Sequence, residues 1–86
     1  MEKRIGTAIM LIENNESIAS FNQIVSNHSD IIIGRHGIPV RNKGYNIVSL
    51  VLCGSTDEIG SLTGQLGRLK GMNVKSVLLK GNYDLY

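Results

Sequence analysis

Two segments of this 86-residue chain alternate apolar residues on both sides, and they restrict the fold more than any other feature. In the first, Arg4 to Glu13, one side carries Ile5, Thr7, Ile9 and Leu11, and the other carries Gly6, Ala8, Met10 and Ile12. The second, Tyr45 to Cys53, repeats the pattern. Because a strand in the middle of a covered sheet is apolar on both faces, both segments are predicted to be central strands.

The remaining segments supply two helices and two further strands. Asn14 or Asn15 can cap a first helix, whose apolar face is Ile18, Phe21, Ile24 and Val25. Asp30 to Val40 is predicted to be an edge strand because it contains Pro39, and residues 41–44 form a hairpin connection ending in Gly44. Ser55 and Glu58 form a capping box that opens a second helix, Gly71 ends that helix, and Met72 to Lys80 is the last strand.

The predicted order is βαββαβ, which is the plan of a ferredoxin-like α+β domain over residues 1–86. The expected sheet is antiparallel, has four strands in the order 4-1-3-2, and carries both helices on one face. Standard strand spacings give the other face an area of about 440 Å². Because such an apolar face is seldom left in water, we expect a homo-oligomer, a dimer or tetramer, formed through the open sheet face or an edge strand. The alternative is that the C-terminal tail from Gly81 folds back over it.

Glycine is unusually frequent, with ten residues, and four of these form a helical stripe: Gly60, Gly64, Gly67 and Gly71. Each glycine inside a helix costs about 1 kcal/mol relative to alanine. One interpretation is close packing of this helix on the sheet or on the first helix. The other is close approach of a partner subunit or a small-molecule effector along Gly60, Gly64 and Gly67.

Four basic side chains cluster in nine residues around the second strand and its turn: Arg35, His36, Arg41 and Lys43. They are interpreted either as a charged edge that blocks strand pairing or as an anion or nucleic-acid contact. Lys43 to Leu50 partly matches the third-strand signature of RNA-recognition domains, but Ile47 and Leu50 replace the aromatic residues that stack on bases. The net charge of +2 is too small to indicate nucleic-acid binding.

Neither catalysis nor a metal site is predicted. The candidate ligands are His28, His36 and Cys53, and His36 is expected opposite Ser49, about 13 Å from Cys53 along the third strand. No nucleophilic, P-loop or dinucleotide motif is present, so we expect no enzyme activity and no cofactor. The single cysteine excludes an internal disulfide, and no apolar run reaches about 18 residues, so we expect a cytoplasmic protein without a membrane segment.

The stretch from Arg35 to Lys80 resembles a small bacterial family of proposed regulators of the iron-only hydrogenase system. The matching residues are Arg35-x-Gly37-Ile38-Pro39-Val40-Arg41, Ile47-Val48-Ser49-Leu50, Thr56-Asp57-Glu58-Ile59, Leu62-Thr63-Gly64-Gln65-Leu66-Gly67-Arg68-Leu69-x-Gly71 and Val74-Lys75-Ser76-Val77. The resemblance covers more than half of the chain in order, and the run Thr-Gly-x-Leu-Gly-Arg-Leu is its most specific part.

The resemblance implies an ACT-like domain similar to the C-terminal domain of the nickel-responsive regulator, assembly into oligomers, and a regulatory or maturation role around hydrogenases. ACT-type domains commonly hold ligands at subunit interfaces near the first strand-to-helix turn, so the resemblance implies an effector site at Asn14 and Asn15, with the glycine face of the second helix. The nickel regulator's histidines and cysteine at the start of the third strand have no counterpart in Gly44-Tyr45-Asn46, so nickel binding is not implied. The regulator's DNA-binding segment is also missing, since the first strand is predicted to start at about residue 4. Any effect on transcription is therefore expected to pass through a separate DNA-binding or hydrogenase-maturation protein.

Overall fold

A computed structural model describes residues 2–83 and residue 85, and it contains the predicted βαββαβ order. The strands are β1 (Arg4–Ile12), β2 (Ile32–Val40), β3 (Tyr45–Gly54) and β4 (Met72–Leu78), and the α-helices are α1 (Ile18–Asn27) and α2 (Thr56–Gly67). Two short 3-10 turns, Asn15–Ser17 and Ser29–Ile31, flank α1. The fold is thus α+β and ferredoxin-like, as predicted.

The four strands form one antiparallel sheet in the order β2-β3-β1-β4, which is the predicted order. Alternate residues of the central strands point to the helices and form the core, together with apolar side chains of α1 and α2. The largest side chains buried there are Phe21, Met10, Leu50, Leu52, Leu62 and Leu66. Both helices lie on this face, so the apolar residues that the central strands carry on the opposite face, such as Ile9 and Val51, have no helix over them.

The predicted start of α2 is confirmed, whereas the predicted Asn14 cap opens the 3-10 turn that precedes α1, and the N-cap of α1 itself is Ser17. Asn14 accepts a hydrogen bond from the Glu16 N–H at 2.8 Å and opens the first 3-10 turn, after which α1 continues from Ile18. At α2 the capping box is complete, because the Glu58 N–H donates to the Ser55 hydroxyl at 3.1 Å and the Ser55 N–H donates to the Glu58 carboxylate at 2.9 Å. Both cap side chains satisfy N–H groups that have no partner inside the helix.

Several predicted boundaries are wrong by a few residues. β1 ends at Ile12 rather than Glu13, and β2 begins at Ile32 rather than Asp30 because Ser29–Ile31 forms a 3-10 turn. α2 ends at Gly67 rather than at Gly71, which lies beyond the helix with φ +71°. β4 ends at Leu78 rather than Lys80, two residues before the tail. The hairpin is as predicted, with Gly44 at φ +69°.

Among the described residues, neither helix has both the length and the apolar character needed to cross a bilayer.

Candidate functional site

The sheet face opposite the helices, called here the open face, carries several exposed apolar side chains. The register places these residues in rows across the strands: Leu79–Ile5–Cys53, then Val77–Thr7–Val51, then Lys75–Ile9–Ser49–His36, and then Asn73–Leu11–Ile47–Ile38. Ile9 is 53% exposed, Val77 64% and Leu79 53%. A polar row therefore lies between apolar rows, and the apolar residues form a continuous patch along β1.

Thr7 lies at the centre of this patch, directly between Val51 on β3 and Val77 on β4. Its hydroxyl donates a hydrogen bond to the Leu50 carbonyl at 2.9 Å. Because that bond already satisfies the hydroxyl within the sheet, the residue can be covered by an apolar surface without leaving a polar group unpaired.

The described part of the C-terminal tail covers one end of the open face. The Tyr83 N–H donates to the Lys3 carbonyl at 2.7 Å, and the Cys53 thiol contacts the Tyr83 carbonyl at 3.6 Å. Cys53 is 5% exposed at this end of the sheet, whereas Ile9 and Val77 stay exposed. Within the described residues, the tail therefore does not replace an external partner for this face.

The basic cluster predicted as an anion or nucleic-acid contact is divided between two faces. His36 pairs with Ser49 and points to the open face, as its predicted register requires, whereas the adjacent Arg35 pairs with Leu50 and points to the helix side. Arg41 and Lys43 lie in the exposed hairpin turn at the end of the sheet. The structure therefore does not bring Arg35 and His36 together on one surface.

A pocket of about 350 Å³ lies on the helix side, between α1 and the edge strand β2. It will be called the α1–β2 pocket. Its lining consists of Ile12, Ile18, Phe21, Asn22, Arg35, Gly37, Ile38, Pro39, Asn46, Ile47 and Val48. The Arg35 guanidinium lies over the Phe21 ring, 5.4 Å from its centroid, which is within the range of a cation–π contact.

The glycines of α2 face open space. A Cβ built at Gly60, Gly64 or Gly67 meets no atom within 4 Å, so the close-packing interpretation is wrong for these three residues within one chain. Gly71 differs, because a Cβ there would lie 2.5 Å from the Cβ of Asn14. Of the candidate effector residues, Asn14 already caps the 3-10 turn and packs against Gly71. Asn15 lies exposed at the start of that turn.

The carboxyl group that caps α2 is held in its ionised form by the cap itself. The backbone N–H of Ser55, and secondarily its hydroxyl, hold the pKa of the Glu58 carboxyl below its ordinary value of 4.5. Among residues 2–83 and 85, no three His, Cys, Asp or Glu side chains come together as a set of metal ligands.

The sequence from residue 4 to residue 76 matches the TM1266-like family, whose description is "Iron-only hydrogenase system regulator, putative". The chain belongs to this family. The match confirms the resemblance inferred from the motifs between Arg35 and Lys80 and extends it over β1 and α1. As the family is described as a regulator, the comparison supports a regulatory role in coarse terms.

Solved structures agree with this assignment to the TM1266-like family. The structure of uncharacterized protein TM1266 from Thermotoga maritima superimposes with a TM-score of 0.87, is 36% identical, and is matched over 92% of this chain and 100% of its own. Two more distant structures share the fold alone. An unknown protein from Galdieria sulphuraria has a TM-score of 0.63 and 10% identity, with 95% of this chain and 48% of that one covered. The de novo designed protein Foldit4 has a TM-score of 0.58 and 13% identity, with coverage of 94% and 100%. No curated protein gives a significant match.

In this TM1266-like sequence, no motif marks Phe21, Asn22 or Asn46 as site residues. A signal was present, because Arg35, Gly37 and Pro39 alternate along β2 and must therefore share one face. That α1 leaves room above this part of β2 follows only from the three-dimensional packing.

Proposed function

We propose that this chain is a non-catalytic regulatory domain that self-associates through its open face and acts by binding other molecules. In this proposal the assembled domain responds to a small effector and passes the signal to a separate DNA-binding or hydrogenase-maturation protein. The description of the family as a regulator supports the regulatory part. The exposed apolar residues of the open face support self-association.

The observation that carries the proposal is the exposed apolar patch centred on Thr7. Val51 and Val77 flank this residue in the register, and Ile9 and Leu79 extend the patch along β1 and β4. Exposed apolar surface of this kind typically marks an interaction site. A second copy of the chain presents the same patch, so packing of two open faces would bury both at once, as in a two-fold symmetric interface.

The polar row of the open face limits how tightly the copies would bind. Two projected faces of about 440 Å² give roughly 900 Å², which is below the standard size of a stable interface. His36, Ser49 and Lys75 would also have to find partners or stay at the rim of the contact. We therefore expect self-association at micromolar concentrations rather than an obligate complex.

The experiment measures the mass of the assembly in solution by sedimentation equilibrium for the wild type, Val77→Lys and Ser76→Lys. Val77→Lys places a charge in the apolar patch, and Ser76→Lys is the matched control because the neighbouring residue is also exposed but lies on the helix side of β4. The wild type and Ser76→Lys are expected to have at least twice the monomer mass at about 100 µM, and Val77→Lys is expected to be a monomer.

A monomeric wild type at this concentration would contradict self-association. A Val77→Lys variant that assembles as well as the wild type would instead show that the contact lies elsewhere, such as the edge strand β2. Far-ultraviolet circular dichroism of all three proteins verifies that the substitutions leave the fold intact.

A further inference from the structure

The floor of the α1–β2 pocket is made of core side chains. Ile12 and Phe21 are each 2% exposed and Val48 is 5% exposed, so the bottom of the pocket is apolar and fixed by the packing of the core. Ile18, at the start of α1, forms a further apolar wall. A rigid apolar floor of this kind is typical of small-molecule sites.

The rim of the pocket is polar and carries a positive charge without a counterion. No hydrogen bond or ion pair joins the side chains of Arg35, Asn22 or Asn46 to any other residue of the described part of the chain. The Arg35 guanidinium carbon lies over the Phe21 ring, 5.4 Å from its centroid. Since the guanidinium N–H groups donate no hydrogen bond to the described residues, they remain available for a planar acceptor.

Gly37 keeps the pocket open on the side of β2. It pairs with the buried Val48 and therefore points to the helix side, where a Cβ built on it meets no atom within 4 Å. Its backbone does not adopt a positive φ. A larger residue would fit the backbone here, and its side chain would fill space that the pocket now leaves empty.

We propose that the α1–β2 pocket binds a small organic carboxylate with an apolar body. The carboxylate accepts hydrogen bonds from the Arg35 guanidinium, the amides of Asn22 and Asn46 complete its contacts at the rim, and the apolar body lies on Phe21 and Ile12. This proposal deepens the effector response of the proposed function and rests on it for the biological role of the ligand. Binding itself can be measured whether or not the chain self-associates.

The dimensions and charge of the pocket favour this class of ligand. At ~30 Å³ for each water, its volume corresponds to about a dozen water molecules, which suits a ligand of about ten non-hydrogen atoms. Among the described residues that line the pocket, Arg35 is the one cationic side chain, and two parallel N–H groups of a guanidinium match the geometry of a carboxylate. A phosphate dianion would need further positive donors, and the apolar floor offers none.

The test uses phenylacetate and 4-methylpentanoate as carboxylate probes and phenylacetamide as the neutral probe of matched shape. Each is titrated into isotopically labelled protein while the backbone amide signals are followed by NMR. Both carboxylates are expected to bind with Kd values of about 1 mM or lower and to shift the amides of Phe21, Asn22 and Gly37. Phenylacetamide is expected to bind at least about tenfold more weakly, since it lacks the charge that Arg35 recognises.

Three variants locate the site. Arg35→Met is expected to weaken phenylacetate binding about 10- to 100-fold, whereas Arg41→Met removes the same charge from the nearby turn and should leave the affinity unchanged. Gly37→Val should abolish binding by filling the pocket, and a β-branched residue in a strand gives no reason for a loss of stability. Thermal unfolding of each variant verifies that the fold persists.

The proposal is overturned if neither carboxylate produces saturable shifts up to about 20 mM, or if Arg35→Met and Gly37→Val bind as the wild type does. Equal affinity for phenylacetamide would overturn the role of the carboxylate. These results are independent of the sedimentation experiment, because a chain that self-associates but binds no carboxylate contradicts only this inference. A monomeric chain that binds phenylacetate contradicts only self-association.

Discussion

Gly71 packs directly against Asn14, and this contact joins the two turns that lead into α1 and β4. The Gly71 carbonyl accepts a hydrogen bond from the Glu13 N–H at 2.9 Å, and the backbone N of Asn14 lies 3.0 Å from the position that a Cβ on Gly71 would take. With φ at +71°, the glycine also has a backbone conformation that other residues adopt at a cost. The fourth glycine of the predicted stripe is therefore a structural residue.

Replacing this glycine is expected to destabilise the fold. Gly71→Ala should lower the free energy of unfolding by about 2 to 3 kcal/mol, because the left-handed backbone and the overlap with Asn14 both penalise a Cβ. Urea denaturation measures the change. In a double-mutant cycle, Asn14→Gly should cost less in the Gly71→Ala background than alone, since it relieves the overlap. Equal costs in both backgrounds would show that the two residues are not coupled.

The glycines inside α2 should respond in the opposite way. Gly64→Ala is expected to raise the free energy of unfolding by about 0.5 to 1 kcal/mol, because alanine favours the helix and its Cβ meets no atom within 4 Å. The same urea experiment gives the value, with Gly71→Ala as the contrasting substitution. Sedimentation of Gly64→Ala adds a second readout, and loss of assembly there would place a partner against the glycine face.

The order of the elements could be predicted because several independent signals agree. The two-sided apolar segments fixed the central strands, Pro39 indicated an edge strand, and Ser55 with Glu58 gave the start of α2. The boundaries that were wrong depend on contacts distant in sequence. Glycines commonly end helices, which predicts Gly71 as the end of α2, whereas the structure places Gly71 beyond the helix in close contact with Asn14.

The sites were harder to predict than the fold. Four basic residues close together in sequence suggested one surface, but Arg35 and His36 are neighbours in a strand and so point to opposite faces. The glycine spacing in α2 marked a common helix face correctly, yet it could not tell whether that face is covered. The α1–β2 pocket depends on where α1 lies above the sheet, and no local pattern encodes that position.

The capping box of α2 should make stability depend on pH. The pKa of Glu58 is lowered in the folded chain, mainly by the Ser55 backbone N–H. The ionised carboxylate therefore adds to the free energy of unfolding above about pH 4.5, and this stabilisation is lost as pH falls through the folded pKa. Urea unfolding of the wild type and Glu58→Gln between about pH 7 and pH 3 tests this. The wild type should be the more stable at neutral pH, and the difference should shrink in acid. The effect is expected to be small because the carboxylate is exposed. A difference that stays constant with pH would contradict the role of the ionised carboxylate.

The tail should protect the only cysteine from modification. Cys53 is 5% exposed, and its thiol contacts the carbonyl of Tyr83. The backbone N–H of Tyr83 donates a hydrogen bond to the Lys3 carbonyl. A chain ending at Lys80 is therefore expected to react with a thiol-specific disulfide reagent at least about tenfold faster than the full chain. Stopped-flow absorbance gives the reaction rates, and both chains carry Val77→Lys so that no partner copy covers the open face.

Tyr83→Phe is the matched control for this experiment. The substitution removes only the hydroxyl that donates to the Lys80 carbonyl at 2.9 Å, while the backbone contacts to Cys53 and Lys3 do not need that hydroxyl. Its reaction rate should stay within about twofold of the full-length rate, because one exposed hydrogen bond contributes little to holding the tail. If the shortened chain reacts no faster than the full chain, the burial of Cys53 comes from the sheet and not from the tail. If Tyr83→Phe reacts as fast as the shortened chain, the tail is held by the tyrosine hydroxyl, contrary to the prediction that backbone contacts hold it.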